Sequence, residues 1–258
     1  MLSPQKANEV ELANTSLSGN AVSARRFVGF VMVAVSIVGL AAGAAVMFYP
    51  RMEPSTEAYS VRGVDVSAHQ GAIDWRVLEV DRVAFAFIKA TEGGDFVDAE
   101  FSNNWRRSAR TGILRGAYHF LTQCQTGLTQ ARHFIATVPR EPDSLPHAVD
   151  AEHTGPCRKG PAVKDIAAEL KVFLDEVEAH YGKRPIIYTT QEFHDAYLKG
   201  LFPGEHFWIR SLLVEPGFRQ NRWLFWQYNN RGVRAGVNGP VDLNAFRGTH
   251  AELEALAR

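Results

Sequence analysis

Four carboxylic acids in the sequence lie within or at the ends of apolar runs, where a buried strand meets a loop. They are Asp65 in Gly-Val-Asp-Val-Ser, Asp150 and Glu152 in Val-Asp-Ala-Glu, and Asp242 in Val-Asp-Leu-Asn. Hydrolysis of a glycosidic bond needs one carboxylic acid to protonate the leaving oxygen and a second group to support the positive charge on the sugar. Any one of these acids could instead cap a loop or pair with an arginine. An inward-pointing carboxylate is costly, however, unless it is paired or used.

Asp150 and Glu152 are two residues apart, so on a strand both side chains point to the same side. Two acids forced together raise the pKa of one of them, which keeps that acid protonated and able to donate a proton near neutral pH. Glu92, in Thr-Glu-Gly just past another apolar run, is a fifth candidate for the same cleft. Its alternative is a structural role in the loop.

Aromatic residues also lie at or near the ends of the apolar runs: Tyr118, Tyr188, Trp208, Trp226 and Tyr228. The flat faces of sugar rings stack on aromatic side chains, and Tyr and Trp keep a polar group at one end. We expect these five residues to bind substrate, with core packing as the alternative for each. His119 is either a core histidine or a hydrogen-bond donor in the cleft.

Other chemistries find little support in the sequence. The histidines show no metal-site spacing such as H-E-x-x-H, and Ser67 lacks the nucleophile-elbow context of a serine hydrolase, so we expect no metal and no other cofactor. Lys+Arg and Asp+Glu both number 28, and the resulting net charge of zero argues against nucleic acid as a partner. Any charged substrate must therefore be recognised locally.

The elements that must position these residues alternate along the chain. Apolar runs bounded by turn residues predict eight buried strands, at 61–67, 83–90, 114–121, 147–152, 185–190, 206–211, 223–229 and 241–246. Helical spacing predicts helices at 98–111, 127–138 and 163–177, with weaker helical character late in the chain. Strand–helix alternation indicates a parallel sheet, and eight strands indicate closure. We therefore expect an α/β fold, an irregular TIM-like barrel with eight strands and fewer than eight helices.

An uncharged apolar run at residues 27–49 precedes this region, and roughly 20 such residues span a bilayer. Arg25 and Arg26 favour a cytoplasmic N-terminus, with the bulk of the chain outside. A cleaved signal peptide, which would make the protein secreted, and a buried soluble helix are the alternatives. The expected domains are a disordered cytoplasmic tail at 1–26, one transmembrane helix at 27–49, a linker at 50–60 and the barrel at 61–258.

Seven short motifs in the barrel region follow one another in a specific order. They are Asp-Val-Ser-Ala-His-Gln-Gly at 65–71, Phe-Ile-Lys-Ala-Thr-Glu-Gly at 87–93, Gly-Ala-Tyr-His-Phe at 116–120, Asp-Ala-Glu at 150–152, Ile-Tyr-Thr at 187–189, Trp-Gln-Tyr at 226–228 and Val-Asp-Leu-Asn at 241–244. Together they resemble glycoside hydrolase family 25, the muramidases of the Chalaropsis lysozyme type. The resemblance implies a flattened barrel that cleaves the β-1,4 bond between N-acetylmuramic acid and N-acetylglucosamine in peptidoglycan, with retained configuration.

The same resemblance implies roles for the acids. Glu152 matches the family's proton donor, Asp150 matches the neighbouring acid, and Asp65 and Asp242 match the other cleft acids. Whether retention uses a protein nucleophile or the substrate's own acetamido group stays open. Arg210 departs from the family, because many relatives carry Ala and Tyr after the preceding Trp. Its guanidinium could bind a peptide-stem or lactyl carboxylate of the substrate, or pair with a cleft aspartate.

Further expectations follow from the barrel and from export. Cys124 follows the third strand and Cys157 the fourth, so we predict a disulfide between them, with two free thiols as the alternative. The expected partners are peptidoglycan strands and, through residues 27–49, the lipid bilayer. We expect a monomer, anchored in the cytoplasmic membrane with the barrel outside the cytoplasm. The alternative functions are a non-catalytic sugar-binding module and a chitinase-like barrel glycosidase.

Overall fold

The computed structural model describes residues 30–41, 43–44, 47–153, 164–220 and 222–258. The chain divides into two units, residues 1–48 and 49–258, and every described residue of the first unit is helical. Within the described part of the chain, no helix combines the length and the apolar character that a membrane crossing needs. The transmembrane helix predicted at 27–49 includes residues outside the described ranges, and the tail predicted at 1–26 lies wholly outside them.

Eight strands of the second unit close into a barrel, which confirms the predicted TIM-like architecture. The sheet comprises β1 (Val61–Val66), β2 (Val83–Glu92), β3 (Phe96–Val97), β4 (Leu114–Phe120), β5 (Ala148–Ala151), β6 (Ile186–Thr190), β7 (Phe207–Arg210), β8 (Trp223–Gly232) and β9 (Val241–Phe246). Around the ring the order is β1-β9-β8-β7-β6-β5-β4-β2, and a β1–β2 pairing closes it. The short β3 pairs only with the end of β2. Each predicted run coincides with one barrel strand, and β3 is an addition.

The last strand, β9, runs antiparallel to both of its neighbours, β8 and β1. The expectation of a parallel sheet is therefore wrong for this strand. Residues 233–240, which connect β8 to β9, are too few for the crossover of a dozen or more residues that a parallel pair needs. The reversal has a consequence for the acids. Asp242 is the second residue of β9 and lies opposite Asp65, near the carboxyl end of β1.

Six α-helical segments lie in the described part of the second unit: α1 (Trp75–Val80), α2 (Phe101–Ser108), α3 (Gly127–Thr137), α4 (Ile166–Tyr181), α5 (Gln191–Phe193), which continues as a π-helical turn at His194–Leu198, and α6 (His250–Ala257). The helices α2, α3 and α4 correspond to the three predicted ones. α4 begins three residues later than predicted because the Asp165 side chain caps it, accepting a hydrogen bond from the N–H of Ala168 at 3.0 Å. It ends at Tyr181, and the Gly182 that follows has a φ of 79°, the left-handed conformation typical of the residue after a helix.

Alternation along the strands separates two apolar layers, one on each face of the barrel wall. The inner layer contains Phe87 and Trp208, whose ring centroids lie 4.6 Å apart. The outer layer, between the strands and the helices, contains Ile88 and Ile209 from neighbouring positions on the same two strands. Leu253 of α6 joins the inner layer. Since α6 begins soon after β9 ends beside the first residue of β1, it lies at the end of the barrel away from the acids.

The segment predicted as a linker, residues 50–60, contacts the barrel. Its Glu53 forms an ion pair with Arg234 at 2.6 Å, just beyond β8. Asn229 of β8 donates a hydrogen bond to the backbone carbonyl of Met52 at 3.3 Å. These contacts fasten the segment to the β8 side of the barrel.

Candidate active site

An open groove of about 300 Å³ lies at the end of the barrel where the parallel strands terminate. Catalytic residues of barrel enzymes lie at this end, because the loops that follow the strands meet there. Eight of the residues selected from the sequence line the groove: Asp65, Tyr118, Asp150, Glu152, Tyr188, Trp208, Arg210 and Asp242. The structure therefore brings all four cleft acids together.

Asp65 is held by two side-chain amides that reach it from neighbouring strands. Gln227 of β8 and Asn244 of β9 each donate a hydrogen bond to Asp65 Oδ2, at 2.9 and 2.7 Å. The amide oxygens are fixed in turn: Tyr188 OH donates to Gln227 at 3.0 Å, and Trp208 Nε1 donates to Asn244 at 2.7 Å. This chain of hydrogen bonds fixes the Asp65 carboxyl group in one orientation.

Asp65 and Asp242 form a pair of carboxyl groups that share a hydrogen bond. The pKa of Asp242 is raised to about 9, mainly by burial and then by the nearby charge of Asp65 and the shared hydrogen bond. Burial also raises the pKa of Asp65, opposed by the hydrogen bonds from Asn244 and Gln227. Because the amides stabilise the charge on Asp65, Asp242 is the member of the pair that carries the proton at neutral pH.

Asp150 projects from β5 with one oxygen that lacks a partner. Its Oδ1 is buried and has no hydrogen-bond partner among the described residues. Burial raises the pKa of Asp150 well above its ordinary value, and the charges of Glu152 and Asp65 raise it further. A buried polar atom without a partner costs free energy. Such an atom beside a groove is therefore suited to a hydrogen bond with a bound ligand.

Glu152 lies just past β5, two residues from Asp150, as the sequence spacing predicts. Burial raises its pKa, whereas the nearby charge of Arg210 lowers it. Arg210 Nη1 lies 3.4 Å from Glu152 Oε2. The sequence left a substrate carboxylate and a cleft aspartate as alternative partners of Arg210, and within the protein its ion pair is with a glutamate instead. Glu152 is thus an acid with a raised pKa at the edge of the groove, next to a cation.

Three of the five aromatic residues selected from the sequence line the groove, and Phe120 lies there as well. Trp208 is buried, stacks on Phe87, and meets the ring of Tyr188 edge-on at a centroid distance of 4.6 Å. Tyr118 meets Trp208 edge-on at 6.3 Å. Burial raises the pKa of both tyrosines well above the ordinary value of 10.0, so both keep their hydroxyl protons. The two tyrosines therefore present apolar rings and hydroxyl groups to the groove.

Trp226 and Tyr228 do not line this groove. They flank Gln227 on β8, so alternation turns them to the outer face while Gln227 points inward. Trp226 packs edge-on against Tyr59 at 5.4 Å and donates from Nε1 to the carbonyl of Ser211 at 2.7 Å. Both side chains belong to the outer apolar layer, so for these two residues the structure shows core packing.

Glu92 lies beside the groove rather than in its lining. Its Oε2 accepts a hydrogen bond from Lys89 Nζ at 2.7 Å, and Lys89 does line the groove. His119 is fully buried in the outer layer, where it stacks on Phe173 of α4 at 4.9 Å. Burial lowers the pKa of His119 to about 3, so it is a neutral core histidine.

Sequence reasoning missed the residues that hold the acids in place. Gln227 and Asn244 lie inside two of the motifs already noted, Trp-Gln-Tyr and Val-Asp-Leu-Asn. The period-two alternation of a strand places Asn244 on the same face as Asp242. That signal was available in the sequence. Lys89, whose Nζ lies 4.9 Å from the ring centroid of Phe120, carries the same signal, because alternation along β2 places it on the inner face with Phe87.

Two further predictions concern cysteines and metals. Cys157 lies outside the described residues, so the disulfide predicted between Cys124 and Cys157 stays a prediction. In the ranges that the structure describes, no three His, Cys, Asp or Glu side chains are grouped so that they could hold a metal ion.

These groups match the needs of one reaction class. A proton donor with a raised pKa, further acids that support positive charge, and aromatic rings are what hydrolysis of a glycosidic bond requires. The fold places them at the mouth of a barrel, where enzymes of this architecture act. The class that the fold and groove define is therefore that of the barrel glycoside hydrolases.

Comparison with known proteins agrees with this class. The sequence model described as "Glycosyl hydrolases family 25" matches residues 64–237. YegX of Escherichia coli K12 is 39% identical over 205 residues, covering 77% of this chain and 74% of YegX. Lysozyme M1 of Streptomyces globisporus is 34% identical over 211 residues, covering 76% of this chain and 71% of that protein. A solved family 25 glycosyl hydrolase from Bacillus anthracis has a TM-score of 0.74 at 42% identity, covering 80% of this chain and 97% of that one. The chain belongs to glycoside hydrolase family 25.

Proposed function

We propose that this glycoside hydrolase is a muramidase, which cleaves the β-1,4 bond between N-acetylmuramic acid and N-acetylglucosamine in peptidoglycan with retained configuration. The observation that carries the proposal is the convergence of Glu152, Asp150, Asp65 and Asp242 in one groove. The similarity to Lysozyme M1 supports the choice of peptidoglycan as substrate.

Glu152 is the proposed proton donor to the leaving oxygen. Burial raises its pKa, so more of it is protonated near neutral pH than for an exposed glutamate. After the bond breaks, the ionised Glu152 can accept a proton from the water that completes hydrolysis, which makes it the general acid and then the general base.

Asp150 is proposed to position the acetamido group of the sugar at the cleavage site. Its buried Oδ1 lacks a partner among the described residues, so a polar group of the substrate can satisfy it. Fixing the acetamido group beside the reacting carbon also supports the charged intermediate. Asp65, held by Gln227 and Asn244, supplies negative charge that stabilises the positive charge developing on the sugar.

The direct test is Glu152→Gln in the full-length protein, assayed by release of reducing ends from purified peptidoglycan. Loss of a general acid lowers the rate by roughly 10²- to 10⁴-fold. Glu176→Gln is the matched control, because Glu176 is exposed on α4 and the charge change is the same. Near-normal activity of Glu152→Gln would contradict the assigned role.

The choice of substrate separates the proposal from its alternatives. Release of reducing ends from peptidoglycan but not from chitin supports the muramidase. Release from chitin alone would identify a chitinase-like enzyme, and binding of peptidoglycan without release would identify a sugar-binding module. For the wild type, kcat/KM should fall as the pH rises through the pKa of Glu152, because only the protonated acid donates.

The proposed location is the cytoplasmic membrane, with residues 27–49 as a single anchor and the barrel outside the cytoplasm. The apolar run and the preceding Arg25 and Arg26 support this arrangement. Export would also permit the proposed disulfide between Cys124 and Cys157. Protease digestion of intact spheroplasts tests the topology: the barrel should be degraded only if it lies outside. Non-reducing mass spectrometry tests the disulfide, and sedimentation of detergent-solubilised protein tests the proposed monomer.

A further inference from the structure

Arg210 is a cation in a groove whose other charged groups are mostly acids. It is the last residue of β7, and about a third of its side chain is exposed to solvent. Burial of the remainder lowers its pKa, but the surrounding acidic groups, Glu152 and Asp150 among them, raise it overall, so the guanidinium is always charged.

The contact between Arg210 and Glu152 uses few of the hydrogen-bond donors of the guanidinium group. Arg210 Nη1 lies 3.4 Å from Glu152 Oε2, which is longer than the 2.7–2.9 Å typical of a charge-assisted hydrogen bond. Among the described residues, no hydrogen bond from the Arg210 side chain accompanies this ion pair. A guanidinium has five N–H donors in a planar fork that matches a carboxylate in a bidentate manner. Arg210 lines the groove, so these donors are within reach of a ligand bound there.

We propose that Arg210 binds a carboxylate carried by the glycan substrate in place of its contact with Glu152. Anionic strands then bind more tightly, and Glu152 is released to act as an acid. This inference rests on the proposed function and specifies its substrate. Two sources share the required chemistry: the lactyl carboxylate of a muramic acid residue without a stem peptide, and a carboxylate of the stem peptide.

The exchange follows from the charges around Glu152. In the free protein Arg210 stabilises the ionised form of Glu152, which is the form that cannot donate a proton. A substrate carboxylate on Arg210 cancels that stabilisation, so Glu152 takes up a proton when the strand binds. The charged and titratable groups that face Glu152 are Arg210, His153, Lys89, Glu192, Asp150, Asp65 and Asp242. Of the cations among them, Arg210 is the nearest named contact and the largest opposing influence on Glu152.

Three glycan preparations distinguish the sources. The first has stem peptides removed and carries free lactyl carboxylates. The second is the same material with those carboxylates converted to amides, and the third keeps its stem peptides. Arg210→Gln should lose about tenfold in kcat/KM on the first or the third preparation, which identifies the source, with little loss on the second. Arg222→Gln is the matched control, because Arg222 is exposed and precedes β8 at the opposite end of the barrel.

A binding measurement tests the exchange without relying on turnover. In Glu152→Gln, Arg210 no longer has a carboxylate partner at 3.4 Å, so calorimetry should show about tenfold tighter binding of the charged strands than of the amidated ones. Adding Arg210→Gln should remove this preference, and Arg210→Lys should retain part of it because the charge remains without the fork.

The outcomes separate this inference from the proposed function. Equal binding of charged and amidated strands, or an equal loss on all three preparations, overturns the role of Arg210 while leaving the muramidase proposal in place. Absence of cleavage by the wild type overturns the muramidase proposal, and the calorimetric preference still decides the role of Arg210. A basic limb of the kcat/KM profile that moves to higher pH in Arg210→Gln supports the exchange, and an unmoved limb contradicts it.

Discussion

Replacing Asp242 by Asn is expected to make the protein more stable at neutral pH. The pKa of Asp242 is about 9 in the folded protein, against an ordinary value of 3.8. Between these values the folded chain holds a proton that the unfolded chain has released, so stability falls as the pH rises through this window. At pH 7 the window extends over about 3.2 pH units, which at about 1.36 kcal/mol each gives an upper limit of about 4 kcal/mol.

The expected gain is smaller than this limit. Part of the Asp242 side chain is exposed to solvent, and Asp242 shares its proton with Asp65, so we expect about 2 kcal/mol at pH 7. Asn has the shape of Asp and does not titrate, and its NH₂ group can donate to Asp65 as the protonated carboxyl group does. For a domain of this size the gain corresponds to a rise in Tm of about 4 to 8 °C.

The assay is urea unfolding followed by tryptophan fluorescence, at pH values from 4 to 8. The difference between Asp242→Asn and the wild type should be small at pH 4, where a good part of the unfolded chains also hold this proton, and should grow towards pH 8. Asp65→Asn is the control, because it removes the charged acceptor for Gln227 and Asn244 and should lower stability. A difference that stays constant with pH, or a less stable Asp242→Asn at pH 7, would refute the reasoning.

Two further substitutions test the support of the groove and of the barrel. Trp208→Phe removes the donor to Asn244 Oδ1 and should lower the free energy of unfolding by about 2 kcal/mol. Activity should also fall, because the Asn244 amide that holds Asp65 loses its partner. Normal activity would show that this hydrogen bond does not position Asp65. Gly127→Ala places a methyl group against the backbone carbonyl of Glu169, where α3 meets α4, and should cost about 2 kcal/mol in thermal unfolding with activity at 25 °C unchanged. An unchanged Tm would show that the two helices can separate freely there.

The barrel strands could be predicted from the sequence because each is buried on both faces. A strand such as β2, with Phe85 and Phe87 inside and Ala86 and Ile88 outside, reads as a continuous apolar run that turn residues delimit. The position of the acids at the ends of these runs followed from the same pattern. The site could therefore be predicted as a set of residues before any coordinates were known.

The direction of each strand, and the face on which each side chain lies, were harder to predict. Nothing in the run 241–246 shows that β9 is antiparallel, and only the short connection before it carries that information. Trp226 and Tyr228 were assigned to the groove because they lie at a strand end, but a strand end has two faces. The face is decided by the register of the whole strand, which Gln227 and Phe225 fix from inside the barrel.

The place of β9 as the last barrel strand in the sequence also determines when the enzyme can become active during its synthesis. This strand completes the hydrogen bonding of both β8 and β1, and it carries Asp242 and Asn244. A nascent chain that has left the ribosome only as far as β8 therefore has two unpaired strand edges, and it lacks half of the acid pair and one of the amides that orient Asp65. Hydrolytic capacity therefore requires β9, and a translation product that stops at β8 would contain Glu152 but no finished site.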